Sequence, residues 1–292
     1  MRKFDPTVLP RFEDSKPLIQ ERIRIIFYRA YHFNRVMRMY VQLKRRIKLR
    51  SLKRQKSWPV SAIDAHVLIV CTYYEQANWI RETINSVKAQ TFKNWTMVVI
   101  DDSSSSAPLK SLESEFEWGE RVLLTETETN SGAYIARNKA IEFASSKGVA
   151  WTHITFIDSD DIASATWLEK ALSILGNSKG AVRILIQRFL EPSKEPLSEI
   201  IWSSNPSMWD RATWDCLGGF CETPVAGDSE LLNRAQFVGV NIKLSPDVGQ
   251  YCRLHNNNAS NSFKYQRINW LNQCARRYEK VFGGKTDGRP CA

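Results

Sequence analysis

An α/β fold on a mostly parallel sheet follows from three observations. Short apolar runs rich in β-branched residues alternate with segments of helical periodicity. Each run ends on polar, often acidic residues. Strand–helix–strand order of this kind closes into a doubly wound sheet with right-handed crossovers.

The elements are read in chain order. His66–Thr72 is a buried strand and Ala77–Ala89 a helix. Trp95–Asp101 is the second strand, Leu109–Phe116 a helix, and Arg121–Thr125 the third strand. Tyr134–Ser145 is helical, Thr152–Asp158 is the fourth strand, and Thr166–Leu175 is helical. Beyond Ala181 the order loosens. Strands are expected at Val182–Phe189, Trp202–Trp209, Val240–Leu244 and Val248–Leu254. Helices are expected at Arg211–Leu217, Asp228–Phe237 and Tyr265–Phe282.

The 292 residues divide by charge. Residues 1–60 hold 17 Lys and Arg against 4 Asp and Glu, while the remainder holds 24 against 27. The expected domains are a basic, partly helical arm over 1–60, a catalytic domain over 61–262, and a C-terminal helix and tail over 263–292. A near-neutral body with no reading module argues against nucleic acid as a partner. Within the arm, residues 18–56 put Ile19, Ile23, Ile26, Phe27, Ala30 and Tyr31 at three- and four-residue spacings among many arginines. Such a helix either docks on the catalytic domain or lies on an anionic membrane surface.

No apolar stretch reaches the roughly 18–20 residues of a membrane span. No charged-then-apolar secretory leader opens the chain. The expectation is a cytoplasmic protein, peripheral on the inner membrane face if the arm binds lipid. The six cysteines form no C-x-x-C pair, and they read as reduced thiols.

In an open parallel sheet ligands bind beyond the carboxyl ends of the strands. Three of those ends are polar here: Thr72-Tyr73-Tyr74-Glu75, Asp101-Asp102-Ser103, and Asp158-Ser159-Asp160-Asp161. Three carboxylates in four residues repel one another, and a divalent cation offsets that cost. Oxygen ligands suit Mg²⁺ or Mn²⁺. The competing reading is a polar loop in which Asp161 or Ser164 caps the next helix. Asn130-Ser131-Gly132 before a helix is either a phosphate site or a simple cap.

Four blocks in order carry a resemblance. The stretch VLIVCTYYEQANWIRETINSVKAQTFKNWTMVVIDDSS, then NSGAYIARNKAI, then FIDSDD resemble the opening, the N-x-G-x-x-x-A-R-N block and the metal motif of family 2 glycosyltransferases. Weaker matches continue through Trp214–Phe220, Gly227-Asp228-Ser229-Glu230 and Tyr251–His255. The resemblance implies a GT-A type, Rossmann-like fold and an inverting enzyme. Such an enzyme moves one sugar from a nucleotide-sugar donor, expected to be UDP-linked, to a glycan or glycolipid hydroxyl. A bacterial surface polysaccharide is the implied setting.

Carried over, Thr72 and Tyr73 line the base pocket, Asp102 bonds the base and Asp158 reaches the ribose. Asp160 ligates Mn²⁺ or Mg²⁺, with Asp161 a weaker candidate. His255 completes the metal shell, touches phosphate, or is a structural histidine. Asp228 is the general base, or else a helix cap or surface acid. Arg137 and Asn138 brace the fold, with Arg137 within reach of phosphate. Trp209 and Trp214 stack on an acceptor sugar or fill the core. Gly227 stands where the family carries Glu, which puts the base assignment in question; Cys71 and Tyr74 replace the usual Pro and Asn.

No G-x-G-x-x-G follows a strand, which removes a dinucleotide oxidoreductase. No Gly-rich, Arg-containing signature follows the first strand, which removes a nucleotidyltransferase. A degenerate module that binds a nucleotide sugar or scaffolds a membrane complex is the remaining alternative.

Overall fold

The structure is a computed structural model. It describes residues 64–255 except 192, together with 270–276, 278 and a few positions between 43 and 52. The reading of the basic arm lies almost wholly outside the described residues; of the helix expected at Tyr265–Phe282, residues 270–276 and 278 are described and are helical, with Trp270, Cys274 and Tyr278 packed beside Cys221 and Ala226.

Eight strands form one sheet in the order β3-β2-β1-β4-β7-β6-β8-β5. β1 (Val67–Tyr73), β2 (Trp95–Asp101), β3 (Val122–Glu126) and β4 (His153–Asp158) run parallel. β7 (Pro196–Asp210) then joins β4 and β6 (Ala181–Leu190) antiparallel. β8 (Ile242–Leu254) is parallel to β6, and the two-residue β5 (Ile162–Ala163) closes the edge.

Alternation along β1 sets the two layers. Val67, Ile69, Cys71 and Tyr73 face one core with Ile80, Ile84 and Val87 of α1 (Ile80–Lys88). Trp167, Leu168 and Leu172 of α3 (Trp167–Leu175) complete that layer. Leu68 and Val70 face the other core, where Ala136, Ala140 and Ala144 of α2 (Ala133–Ser146) let that helix lie close on the sheet. Leu217 of α4 (Arg211–Leu217) and Leu231 of α5 (Gly227–Phe237) finish it. β1 is buried on both faces. Each such aliphatic side chain contributes about 1.5–3 kcal/mol, and this central strand is the stiffest support available for a site.

Four expectations change. The helix expected at Leu109–Phe116 is a 3-10 turn over Leu109–Glu115, after Pro108 in extended geometry. The two late strands are one, β8, because Pro246 and Gly249 are absorbed as register irregularities against β6. A Cβ on Gly249 would sit 2.3 Å from Ile184 Cγ2, so glycine there is a packing requirement and no break. β7 starts six residues before the expected Trp202. Cys216 is disulfide-bonded, against the expectation of six reduced thiols, and its partner lies outside the described residues. Trp209 and Trp214 are core residues, 2% and 4% exposed, so neither offers a ring to a sugar.

Candidate active site

Parallel register brings the polar strand ends level. Tyr73 pairs with Asp101 across β1 and β2, and Thr72 pairs with Asp158 across β1 and β4. Beyond that edge lies a cleft of about 430 Å³. Thr72, Asp102, Asp158, Asp160 and Asp228 all line it. The first four come from neighbouring strand ends. Asp228 is brought in from a region more than sixty residues later.

The acids are held differently. Asp101 is buried and spent on its own loop, accepting the Ser104 N–H at 2.9 Å and the Leu109 N–H at 2.7 Å. Asp102 accepts the N–H groups of Ser131 at 2.9 Å and Gly132 at 2.7 Å, and the Thr127 hydroxyl at 3.0 Å. It therefore fills the helix N-terminus that the Asn130-Ser131-Gly132 turn offered to a phosphate. Tyr73 borders the cleft, but its ring packs in the core with the hydroxyl donating to the Ala107 carbonyl at 2.5 Å, because position 73 falls on the inward face of β1. Burial, with the charge of Asp101 nearby, pushes that phenol up to about 12. Thr72, on the opposite face, donates to Asp158 at 3.4 Å.

Asp158 is half-exposed and also accepts from Arg137, whose guanidinium is buried among the rings of Tyr134, Phe156 and Phe220. Arg137 Nε has no hydrogen-bond partner among the described residues. Asn138 braces the fold as expected, donating to the Phe220 carbonyl at 2.8 Å and accepting its N–H at 3.1 Å.

Asp160 Oδ2 lies 2.8 Å from His255 Nε2, and the imidazole packs on Trp79 with centroids 4.5 Å apart. Burial first, and then the charge of Asp158, hold the Asp160 carboxyl above the ordinary range. Asp161 also borders the cleft but is held by the main chain of β8. It is buried, accepts the Arg253 N–H at 2.9 Å, and is pushed well up by desolvation. Helix α3 begins after Thr166 with no side-chain cap, so neither Asp161 nor Ser164 serves as one.

The donor set fits a cation held at two points. An oxygen and an imidazole nitrogen 2.8 Å apart have the separation of two neighbours in one coordination shell. Among the described residues no group of three His, Cys, Asp or Glu forms a cage. A hard cation completes its shell with substrate phosphates and water at such an open site.

Asp228 stands in the first turn of α5, where Ala226 occupies the cap position and makes no side-chain cap bond. It accepts the Tyr134 hydroxyl at 2.9 Å. Two features went unseen in the sequence. Tyr134 gave no signal at all. Glu230 and Arg234, at helical i, i+4 spacing, form a fully buried bidentate pair, and Arg234 also donates to the carbonyls of Leu217 and Gly219. That pair ties α5, and with it Asp228, to the Gly218-Gly219-Phe220 turn.

The mostly parallel sheet with its cleft at the carboxyl edge is a fold of the GT-A type, shared with solved glycosyltransferases. The family description "Glycosyl transferase family 2" matches residues 67–219, and the chain belongs to that family. It is 29% identical over 188 residues to TuaG of Bacillus subtilis, a glycosyltransferase named for teichuronic acid biosynthesis, covering 64% of this chain and 71% of that one. It is 37% identical over 113 residues to WfgD of Escherichia coli, named a UDP-Glc:alpha-D-GlcNAc-diphosphoundecaprenol beta-1,3-glucosyltransferase. That match covers 38% of this chain and 42% of WfgD, and other curated relatives are likewise matched over less than half their length. The mannosyltransferase PcManGT of Pyrobaculum calidifontis, solved with GDP-Man and Mn²⁺, shares the fold at TM-score 0.59 and 19% identity, over 93% of this chain and 78% of that one. Among the described residues no helix is long and apolar enough to cross a membrane.

Proposed function

We propose that this glycosyltransferase moves a single sugar from a UDP-linked donor to a hydroxyl of a glycan or glycolipid acceptor, with inversion and with Mn²⁺ or Mg²⁺. The observation that carries this reading is the convergence of Asp102, Asp158, Asp160 and Asp228 on one cleft from separate elements. Names of the relatives support it: one is named for UDP-Glc as donor and a GlcNAc-diphosphoundecaprenol as acceptor, and another for teichuronic acid biosynthesis.

Within the reading, Thr72 and Asp102 frame the nucleoside and Asp158 reaches the ribose. Asp160 and His255 hold the cation, which stabilises negative charge on the departing diphosphate. Arg137 holds Asp158 oriented beside the donor. Asp228 takes the proton of the attacking hydroxyl from the face opposite the leaving group. One displacement inverts the anomeric centre, and no second nucleophilic carboxylate is needed. Contact with an anionic membrane through residues 18–56 belongs to the same reading, since it brings the enzyme to a lipid-linked acceptor.

The test is nucleoside-diphosphate release from a panel of UDP- and GDP-sugars, with Mn²⁺ or with EDTA. The parent is expected to turn over only with metal. Asp160→Ala and Asp228→Asn each lose at least about 100-fold in turnover, the scale of losing one charge-stabilising or proton-transfer group. UDP with Mn²⁺ at about 100 times its Kd stabilises the parent by about 2.7 kcal/mol and Asp228→Asn equally, while Asp160→Ala is not stabilised. Equal turnover in EDTA sinks the cation; equal turnover of Asp228→Asn sinks the base.

A further inference from the structure

We propose that Tyr134 is a positioning residue that holds the Asp228 carboxylate in its reactive orientation; this rests on Asp228 acting as the base. Asp228 is the partner of the Tyr134 hydroxyl at 2.9 Å, and both residues line the cleft. A carboxylate on the first turn of a helix has several rotamers open to it, and the bond that Asp228 makes among the described residues is the one from Tyr134. A phenol fixed at its ring and free only at its oxygen removes that freedom.

The ring is fixed on three sides. Phe220 packs against it with centroids 5.3 Å apart, and the Arg137 guanidinium lies over it at 5.2 Å. The third wall is Gly227. A Cβ there would stand 2.7 Å from Tyr134 Cγ and 2.8–2.9 Å from both Cδ atoms, closer than real Cβ contacts come. The absence of a side chain at 227 is what admits the ring beneath Asp228. Its φ lies outside the left-handed region, so space and not backbone strain requires glycine.

The placement of Tyr134 traces further back. It is the second residue of α2, and the two residues before that helix, Ser131 and Gly132, are pinned by the Asp102 carboxylate. A carboxylate at the donor side of the cleft therefore sets the start of the helix whose hydroxyl sets the base. Donor and acceptor halves of the site are joined by one rigid chain of contacts.

Tyr134→Phe keeps the ring and deletes only the hydroxyl. Turnover is measured with the best donor of the panel and Mn²⁺, for the parent, Tyr134→Phe, Asp228→Asn and the double variant. Tyr134→Phe is expected to lower kcat about tenfold, to leave donor KM within twofold, and to leave Tm within about 2 °C. In the Asp228→Asn background the same change has no further effect on kcat, because the residue acts through Asp228. Two results overturn the proposal while leaving the base reading intact: Tyr134→Phe at full kcat with Asp228→Asn inactive, or losses that multiply in the double variant. A parent inactive with every donor, or an Asp228→Asn variant at full rate, overturns the base reading and this one with it.

Discussion

At the end of β2, Asp101 and Asp102 accept four backbone N–H groups between them, from Ser104, Leu109, Ser131 and Gly132. At the end of β4, Asp158 and Asp160 are met instead by side chains: Arg137 and Thr72 for the first, His255 for the second. Both ends read in the sequence as clustered carboxylates. Backbone donors are fixed by the path of the chain, so the bonds on the β2 acids shape two loops; Asp101 is wholly spent there, while Asp102 still lines the cleft. Side-chain donors can re-pair, and the carboxylates they meet also face the cleft. An acidic strand end keeps its freedom to re-pair to the extent that side chains, and not main-chain amides, hold it.

The contrast yields predictions of decreasing size. Asp101→Ala orphans the buried Leu109 amide and the half-buried Ser104 amide, and about 4 kcal/mol of stability is expected to go, at roughly 1–3 kcal/mol for each unsatisfied group. Urea denaturation measures it, and addition of Mn²⁺ and UDP does not restore the loss. A cost below about 1 kcal/mol would mean that the loop holds itself without the carboxylate.

Asp158→Ala strips the Arg137 guanidinium of its acidic partner. The expected cost is about 3 kcal/mol, at the low end for a broken buried pair because Asp158 is itself 44% exposed at its side chain. Unlike the β2 variant, it should also weaken UDP binding, read by calorimetry. Unchanged affinity would place this carboxylate with the structural acids.

The smallest effect lies at Glu75. Its carboxylate accepts the N–H groups of Ser106, Ser105 and Ala107, and those bonds hold its pKa below the usual 4.5. A depressed folded pKa contributes stability that is present above about pH 4.5 and lost as the pH falls through the lower folded value. Tm should therefore drop less steeply below pH 4.5 in Glu75→Gln than in the parent. Parallel acid limbs would show that this loop leaves Glu75 to solvent.

Much of the first half of the fold was legible in sequence because its strands are buried on both faces and its helices carry one apolar stripe. β1, β2 and β4 and the helices around them fall within a few residues of expectation. Legibility fell after Ala181, where β7 pairs antiparallel, β8 pairs parallel, and both ladders carry register irregularities against β6. There periodicity no longer separates strand from turn. The candidate site was legible by residue type, since Asp102, Asp158, Asp160, Asp228 and His255 stand in motifs. The partners of those residues were not. Nothing local marks Tyr134 as the partner of Asp228, 94 positions away.

Local pattern along the chain was enough to read the order of elements through β4, the parallel sheet and the clustering of acids at strand ends. Those follow from hydrophobic period and from chain direction, both local properties. Packing settled how each acid is held. It spent Asp101 on main-chain amides, pinned Asp102 by two more at the rim of the cleft, and buried Asp161 against β8. It turned the Tyr73 ring inward and set Asp160 against His255. Each of those outcomes depends on which groups packing brings within about 3 Å, and no pattern along one strand records the donors that another element supplies.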